Sequence, residues 1–236
     1  MTDHNVIFTD DGEAVDPKVI SDAVTAFPKG YANAVREIIS NTDRPDLDKD
    51  LFMKNCATVL VSFKMTRAGP FKGIGGDEAA DKGGNSKKKL VDAWSRVGND
   101  LISLRGLLSR ADLKPRSRTL LLLVEASRRR VVGELWSIFK KLLPVTMSSS
   151  SYGLVGASKI LFSLFPEVAL PIDNVEWRKV FKTVDFGEVI HLMAEEISEW
   201  EKKRGIPLDS RDENGPTTLP AVYNVMAMEA RGVKKR

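Results

Sequence analysis

Lys159 and Asp173 are the residues of this chain whose types and positions best suit chemistry. Lys159 follows Gly153 and Gly156 at the predicted start of a helix, and Asp173 follows Pro171 at the start of the next one. The N-terminus of a helix binds anions through its free N–H groups, and it disfavours a protonated amine. A lysine partly buried there would have a lowered pKa, and a neutral lysine amine is a nucleophile capable of Schiff-base chemistry.

The segment 152–178 resembles the helix-hairpin-helix DNA glycosylases of base-excision repair. The family pattern is a glycine hairpin with a lysine, then an apolar stretch, then an aspartate followed by an aromatic residue and an arginine. Val175 stands where the family has a histidine. The residues that match the pattern are Gly153, Gly156, Lys159, Pro171, Ile172, Asp173, Trp177 and Arg178.

The resemblance implies a mainly helical protein that acts on a damaged base flipped out of duplex DNA. Lys159 would be the nucleophile that attacks the sugar C1′ and forms the Schiff base of an abasic-site lyase. Asp173 would assist departure of the base and stabilise charge at the sugar. The hairpin from Gly153 to Gly156 would hold a phosphate through its backbone N–H groups, and Ser158 is a further candidate DNA contact.

Each of these residues also has a purely structural explanation. Asp173 and Glu176, three positions apart, fit a helix capping box, which needs no catalysis. Taken alone, Lys159 is explained equally well as an ordinary solvent-exposed lysine. The two glycines are explained by a turn of the backbone. Two other functions therefore stay open: a non-enzymatic nucleic-acid-binding helical module, and a helical protein-interaction domain.

Basic residues are concentrated in the middle of the chain, as a polyanion-binding surface requires. Residues 51–150 contain 19 Lys and Arg against 8 Asp and Glu, whereas residues 1–50 contain 5 against 11. Affinity for nucleic acid depends largely on neutralising phosphates, so DNA is the predicted partner. A solvated charged surface is the alternative explanation, and the oligomeric state stays open. The candidate DNA contacts are Lys87, Lys88, Lys89, Arg128 and Arg129.

The scarcity of metal-binding residues limits the possible chemistry. The chain of 236 residues has two histidines and one cysteine, Cys56, which excludes a cysteine-rich zinc site, an iron–sulfur cluster and a disulfide framework. We therefore expect no cofactor and no metal. The start of the chain is acidic and polar, and no apolar run approaches the roughly 20 residues that span a bilayer. These features predict a cytoplasmic protein without a membrane partner.

The spacing of apolar residues predicts a mainly α, multi-helix globular domain with a helix-hairpin-helix-like element. Two helices are expected over 86–97 and 99–113, and one long helix over about 117–143. The predicted organisation is an N-terminal helical segment with an acidic start (1–68), a flexible loop rich in glycine and lysine (69–89), and a helical core domain (90–236) that contains the hairpin-like motif (152–178).

Overall fold

A computed structural model describes residues 6–43, 46–65, 69–74, 85–147, 153–211 and 218–230. Over these ranges the chain is mainly α-helical, which confirms the predicted fold class. It has ten α-helices and no strand there, and one antiparallel bridge joins Phe8 to Ala14. The helices are α1 (Pro17–Ala26), α2 (Lys29–Thr42), α3 (Lys49–Ser62), α4 (Asn85–Ala111), α5 (Thr119–Leu122), α6 (Glu125–Thr146), α7 (Leu154–Leu164), α8 (Asn174–Glu176), α9 (Phe186–Arg204) and α10 (Leu219–Ala230).

Aspartate side chains mark the starts of several helices. Asp16 caps α1, whose first residue is a proline, Asp48 caps α3, and Asp185 caps α9; each carboxylate accepts a hydrogen bond from an amide of the first turn. The first amides of a helix have no partner within it, so such a cap satisfies a donor that would otherwise be lost. Gly205, in the left-handed conformation, ends α9.

Helix α7 lies at the centre of the fold. Its residues from Val155 to Leu164 are all buried, and α2, α3 and α6 pack around it. A helix that is apolar on every side is typical of a protein core. Lys159 is the one charged residue of α7, so the core surrounds a cation.

Helix α4 replaces the two helices predicted over 86–97 and 99–113, so the predicted break at Gly98 is wrong. Val97 and Leu101, on either side of this glycine, belong to one buried stripe of a continuous helix. The indole of Trp94 lies against Gly98, where an added Cβ would come within 2.9 Å of the ring. The glycine therefore makes room for an aromatic side chain inside a helix.

The long helix predicted over about 117–143 is divided in two. The amide of Leu123 closes the short helix α5, and the backbone is then extended at Leu123 and Val124 before α6 begins. The predicted end at about 143 is also too early, because α6 continues through Pro144 to Thr146. The side chain of Thr146, the last residue of α6, touches the start of α7.

Part of the segment predicted as a flexible loop, 69–89, is regular structure. Gly69–Phe71 forms a 3-10 turn, and the ring of Phe71 is completely buried. Helix α4 begins at Asn85, so the three consecutive lysines of this segment are helical. The remainder of the predicted loop, 75–84, lies outside the described residues.

One hydrophobic cluster includes side chains from both ends of the chain. Ile20 in α1, Phe52 in α3, Leu135 in α6 and Val222 in α10 all belong to it. The segments 1–68 and 90–236 therefore share a core. Among the described helices, none combines the length and the apolar character that crossing a membrane requires.

Candidate functional site

Lys159 lies deeper in its helix than the sequence predicts. Helix α7 begins at Leu154, with Gly153 as its N-cap, so Lys159 is the sixth helical residue and not part of the first turn. The predicted placement of its amine at a helix N-terminus is therefore wrong. Its surroundings are set by the side chains that pack against the middle of α7.

The amine of Lys159 contacts the carboxylate of Asp173 directly. Lys159 Nζ donates a hydrogen bond to Asp173 Oδ1, and the same nitrogen lies 4.2 Å from the centroid of the Phe63 ring. The lysine side chain is 2% exposed, whereas that of Asp173 is 29% exposed. A carboxylate and an aromatic face both stabilise a protonated amine. The site is thus a buried cation whose counter-ion reaches the surface.

Asp173 is positioned by hydrogen bonds on either side of it. The hydroxyl of Ser158 in α7 accepts the amide of Ile172 at 3.1 Å, and the amide of Asp173 donates to Glu176 Oε2. Asp173 and Glu176 form the capping box that the sequence predicts. Ser158 is completely buried, so this candidate DNA contact binds backbone in the core instead.

Two buried polar residues that the sequence analysis missed extend this cluster. The ring of Tyr31 lies 5.2 Å from that of Phe63, and its hydroxyl accepts a hydrogen bond from Asn224 Nδ2 at 3.3 Å. Burial raises the pKa of Tyr31, the hydrogen bond from Asn224 opposes this, and the negative charges of Glu176 and Asp173 raise it further. Tyr31 therefore remains a neutral phenol beside the ion pair.

The two glycines of the predicted hairpin allow close packing between helices. At Gly153, with a φ of +82°, an added Cβ would lie 2.7 Å from the hydroxyl oxygen of Thr146. At Gly156 it would lie 2.9 Å from both Phe71 and Thr146. The hydroxyl of Thr146 also donates to the carbonyl of Gly153 at 2.8 Å. The first turn of α7 is therefore in contact with the last turn of α6.

The predicted basic contacts lie at the starts of two other helices. Lys87 and Lys88 are exposed and Lys89 is partly exposed in the first turns of α4. Lys88 and Lys89 line a surface cavity with Gly69, Pro70 and Asp92, which does not include Lys159 or Asp173. In the first turns of α6, Arg129 pairs with Glu125 four residues earlier, and Arg128 is partly buried.

A different basic surface follows Asp173 directly. Trp177–Phe181 forms a turn of π-helix, a rare geometry that often occurs at functional sites. Arg178, Lys179 and Lys182 are exposed on this turn or next to it, whereas Trp177 is buried. Three cations thus lie within nine residues of the partly exposed carboxylate of Asp173. The three cations are close together in the sequence, but only Arg178 belongs to the family pattern.

Metal chemistry has no obvious ligands in the described part of the chain. No group of three or more His, Cys, Asp or Glu side chains capable of holding a metal ion occurs there. Cys56 is buried against Ser163, with 3.3 Å between sulfur and oxygen, and burial raises the pKa of its thiol to about 12. A thiol in that state is a packing group and not a nucleophile.

Comparisons of this chain with family models, with curated proteins and with solved structures each found no match.

Proposed function

We propose that this chain is a DNA glycosylase-like protein in which Lys159 and Asp173 are the reacting pair. The observation that carries the proposal is the direct contact between Lys159 Nζ and Asp173 Oδ1, two groups from separate elements. An amine nucleophile needs a nearby base to accept its proton. Asp173 supplies that base, and its exposed fraction provides the point at which a substrate reaches the pair.

The proposed reaction begins when Lys159 transfers one proton to Asp173. The freed lone pair forms a bond from nitrogen to C1′, the bond from C1′ to the base breaks, and the base leaves with that electron pair and takes the proton from Asp173. The sugar ring then opens as its oxygen takes a proton from nitrogen, which leaves a Schiff base between nitrogen and C1′. Asp173, ionised again, then takes a proton from C2′, the electron pair of that C–H bond forms the C2′–C3′ double bond, and the 3′ phosphate leaves with the electron pair of its C3′–O bond. Water finally hydrolyses the Schiff base, which restores the amine and leaves an aldehyde at C1′.

The burial of Lys159 sets a condition on this reaction. An amine that is 2% exposed reaches a sugar carbon only if the side chains above it move, or if it extends along Asp173 toward the surface. The exposed cations Arg178, Lys179 and Lys182 follow Asp173 within nine residues, and in the proposed complex they hold DNA phosphates. We therefore assign the DNA-facing surface to this turn, with the lysines of α4 and the arginines of α6 as outer contacts.

A non-enzymatic DNA-binding module is the second candidate function. The same burial favours it, because a lysine enclosed by Asp173 and Phe63 also serves simply as a paired core cation, and the capping box accounts for Asp173. We also propose a cytoplasmic location, since the cysteine of the chain is free and buried.

Borohydride trapping on DNA tests the proposal. The protein is incubated with duplexes that carry an abasic site or one of a set of damaged bases, and sodium borohydride then reduces any Schiff base to a stable adduct. We expect an adduct with the natural chain and none with Lys159→Met. Lys18→Met, which alters a lysine that is 84% exposed on α1, is the matched control and should retain the adduct.

The remaining variants and outcomes separate the candidate functions. Asp173→Asn keeps the amine and removes the proton acceptor, so trapping should be slower even where the variant is folded by circular dichroism. Salt-dependent duplex binding without an adduct on any substrate would remove the enzymatic proposal and leave the binding module. Failure to bind duplex DNA at low salt would remove both and favour a protein-interaction domain.

A further inference from the structure

A cavity of about 200 Å³ lies between the end of α2, the end of α4 and the segment that follows α7. It is separate from the Lys159–Asp173 pair. Its walls are the aliphatic side chains of Leu108 and Leu113, and the rest of its lining is polar or charged. A pocket with an apolar wall and a few convergent polar groups is the usual form of a small-molecule site.

Two buried charges, Arg105 and Glu167, and the partly exposed Arg116 form the floor of this cavity. Glu167 Oε1 accepts hydrogen bonds from Arg105 Nη1 at 2.7 Å and from Arg116 Nη2 at 3.1 Å. The side chains of Arg105 and Glu167 are 5% and 2% exposed. Two guanidinium groups share one carboxylate, so the floor has a net charge of +1.

At the floor, the two arginines repel each other and both attract the carboxylate of Glu167. Burial lowers the pKa of Arg105, the carboxylate of Glu167 opposes this, and the neighbouring charge of Arg116 lowers it again. Burial alone would raise the pKa of Glu167, but the two arginines outweigh it and hold that pKa below its usual value. The carboxylate of Glu167 lies between the two guanidinium groups, and a further anion near the arginines would relieve their mutual repulsion.

The rim of the cavity has the opposite charge balance. Asp43 and Asp112 are 83% and 77% exposed, and Lys114 is 79% exposed. Lys114 pairs with Asp112 at 3.2 Å, while Asp43 lies 3.9 Å from Arg116 Nη1. The rim thus has a net charge of −1, outside a floor of net charge +1.

We propose that this cavity binds a small zwitterion with an aliphatic side chain, of the size and charge pattern of a free aliphatic amino acid. Its carboxylate lies against Arg116 at the floor, its ammonium group faces Asp43 and Asp112 at the rim, and its side chain contacts Leu108 and Leu113. Arg116 Nη1 is the donor for the ligand, since its contacts with Asp43 and with the carbonyl of Ile39 are long, at 3.9 and 3.5 Å. A charge-assisted hydrogen bond between a guanidinium and a carboxylate is strong, and the partial burial of Arg116 strengthens it.

Titration calorimetry with three probes that share the branched aliphatic side chain of leucine tests the proposal. L-Leucine has both charges, 4-methylpentanoate lacks the ammonium group, and 3-methylbutylamine lacks the carboxylate. We expect saturable binding of L-leucine at one site, and at least about tenfold weaker binding of each of the other probes, since one charged contact contributes roughly this much. Equal affinity for L-leucine and 4-methylpentanoate would overturn the proposal in favour of a simple anion site, and no saturable binding of L-leucine would overturn it altogether.

Rim variants locate the site without disturbing the core. Asp43→Asn combined with Asp112→Asn alters two exposed carboxylates, so the chain should fold normally and bind L-leucine several-fold more weakly, with no loss of affinity for 4-methylpentanoate. Asp22→Asn, at an aspartate of α1 that is 67% exposed, is the control and should not change either affinity. Unchanged L-leucine affinity in the double variant would contradict the proposed orientation.

Discussion

The hydroxyl of Ser158 accepts the amide of Ile172 at 3.1 Å, across fourteen positions of the chain. The hydroxyl proton is directed to the carbonyls of Val155 and Ile172, at 3.0 and 3.2 Å. These hydrogen bonds hold Ile172, the residue before Asp173, against α7, the helix that contains Lys159. The ion pair therefore depends on a hydrogen bond between the chain neighbours of its two members, Ser158 beside Lys159 and Ile172 beside Asp173.

Replacement of Ser158 by alanine should destabilise the protein and loosen the ion pair. The Ile172 amide would lose its partner in the core, and a buried amide without a partner costs about 1–3 kcal/mol. The free energy of unfolding, measured by urea titration, should fall by that amount. Ser95→Ala removes an exposed helical serine whose hydroxyl donates to the carbonyl of Val91 in the same helix, so it should change stability by less than about 0.5 kcal/mol. Equal losses in the two variants would contradict the positioning role of Ser158.

The local part of the site could be predicted from the sequence, and the distant part could not. Lys159 and Asp173 are joined by a short segment bounded by prolines, and Glu176 follows Asp173 at capping-box spacing, so both contacts have a local signal. Tyr31 and Asn224 are 193 positions apart and meet only because α2 and α10 share a core. No pattern within either helix marks that contact.

The same distinction holds for the helices. Apolar periodicity predicts the fold class, because a buried stripe is a local property of each helix. The break expected near Gly98 was wrong because one glycine costs a helix only about 1 kcal/mol, and burial of Val97 and Leu101 on either side of it favours a continuous helix. The cavity was missed for a related reason: Arg105 and Glu167 are 62 positions apart, and each taken alone resembles an ordinary surface charge.

Glycine-to-alanine substitutions should have opposite effects at two helical positions. Gly156→Ala would place a methyl group 2.9 Å from Phe71 and from Thr146, and such overpacking costs about 1–3 kcal/mol. Gly133 lies within α6 with open space where a Cβ would be, so Gly133→Ala should stabilise the protein by about 0.5–1 kcal/mol. Thermal and urea unfolding of both variants checks the pair. A stabilised Gly156→Ala variant would show that α6 and α7 are not in the close contact described.

Replacement of Asp173 should lower the free energy of unfolding more than replacement of Lys159. Asp173→Asn leaves a buried ammonium group without its counter-ion, and breaking a buried pair in this way costs about 3–5 kcal/mol, with the lower end expected because Asp173 is partly exposed. Lys159→Met removes the buried charge, keeps an unbranched side chain over Phe63, and leaves a carboxylate that water can solvate. Urea unfolding should therefore rank Asp173→Asn below Lys159→Met in stability. The reverse order would mean that the amine escapes to solvent when Asp173 is neutral.

Glu196 should make stability depend on pH through the anchoring of the N-terminal segment. Its carboxylate accepts the amides of Val6 and Ile7 at 2.7 and 2.8 Å and the hydroxyl of Tyr223 at 2.5 Å. Burial raises the pKa of Glu196 above its ordinary 4.5, although the hydrogen bonds from Tyr223, Ile7 and Val6 each oppose that rise. The native state therefore holds this proton more tightly than the unfolded chain does. The resulting stability is fully present below pH 4.5 and is lost as the pH rises through the raised pKa.

Glu196→Gln removes this titration, so the comparison must be made across pH. The free energy of unfolding of the natural chain, minus that of Glu196→Gln, should decline as the pH rises above 4.5, and should be flat below it. Tyr223→Phe removes a hydrogen bond that lowers the pKa of Glu196, so in that background the decline should extend to higher pH. Urea titrations at a series of pH values measure both differences. A difference that grows with pH would mean that the three hydrogen bonds outweigh burial, so that Glu196 acts as a stabilising anion.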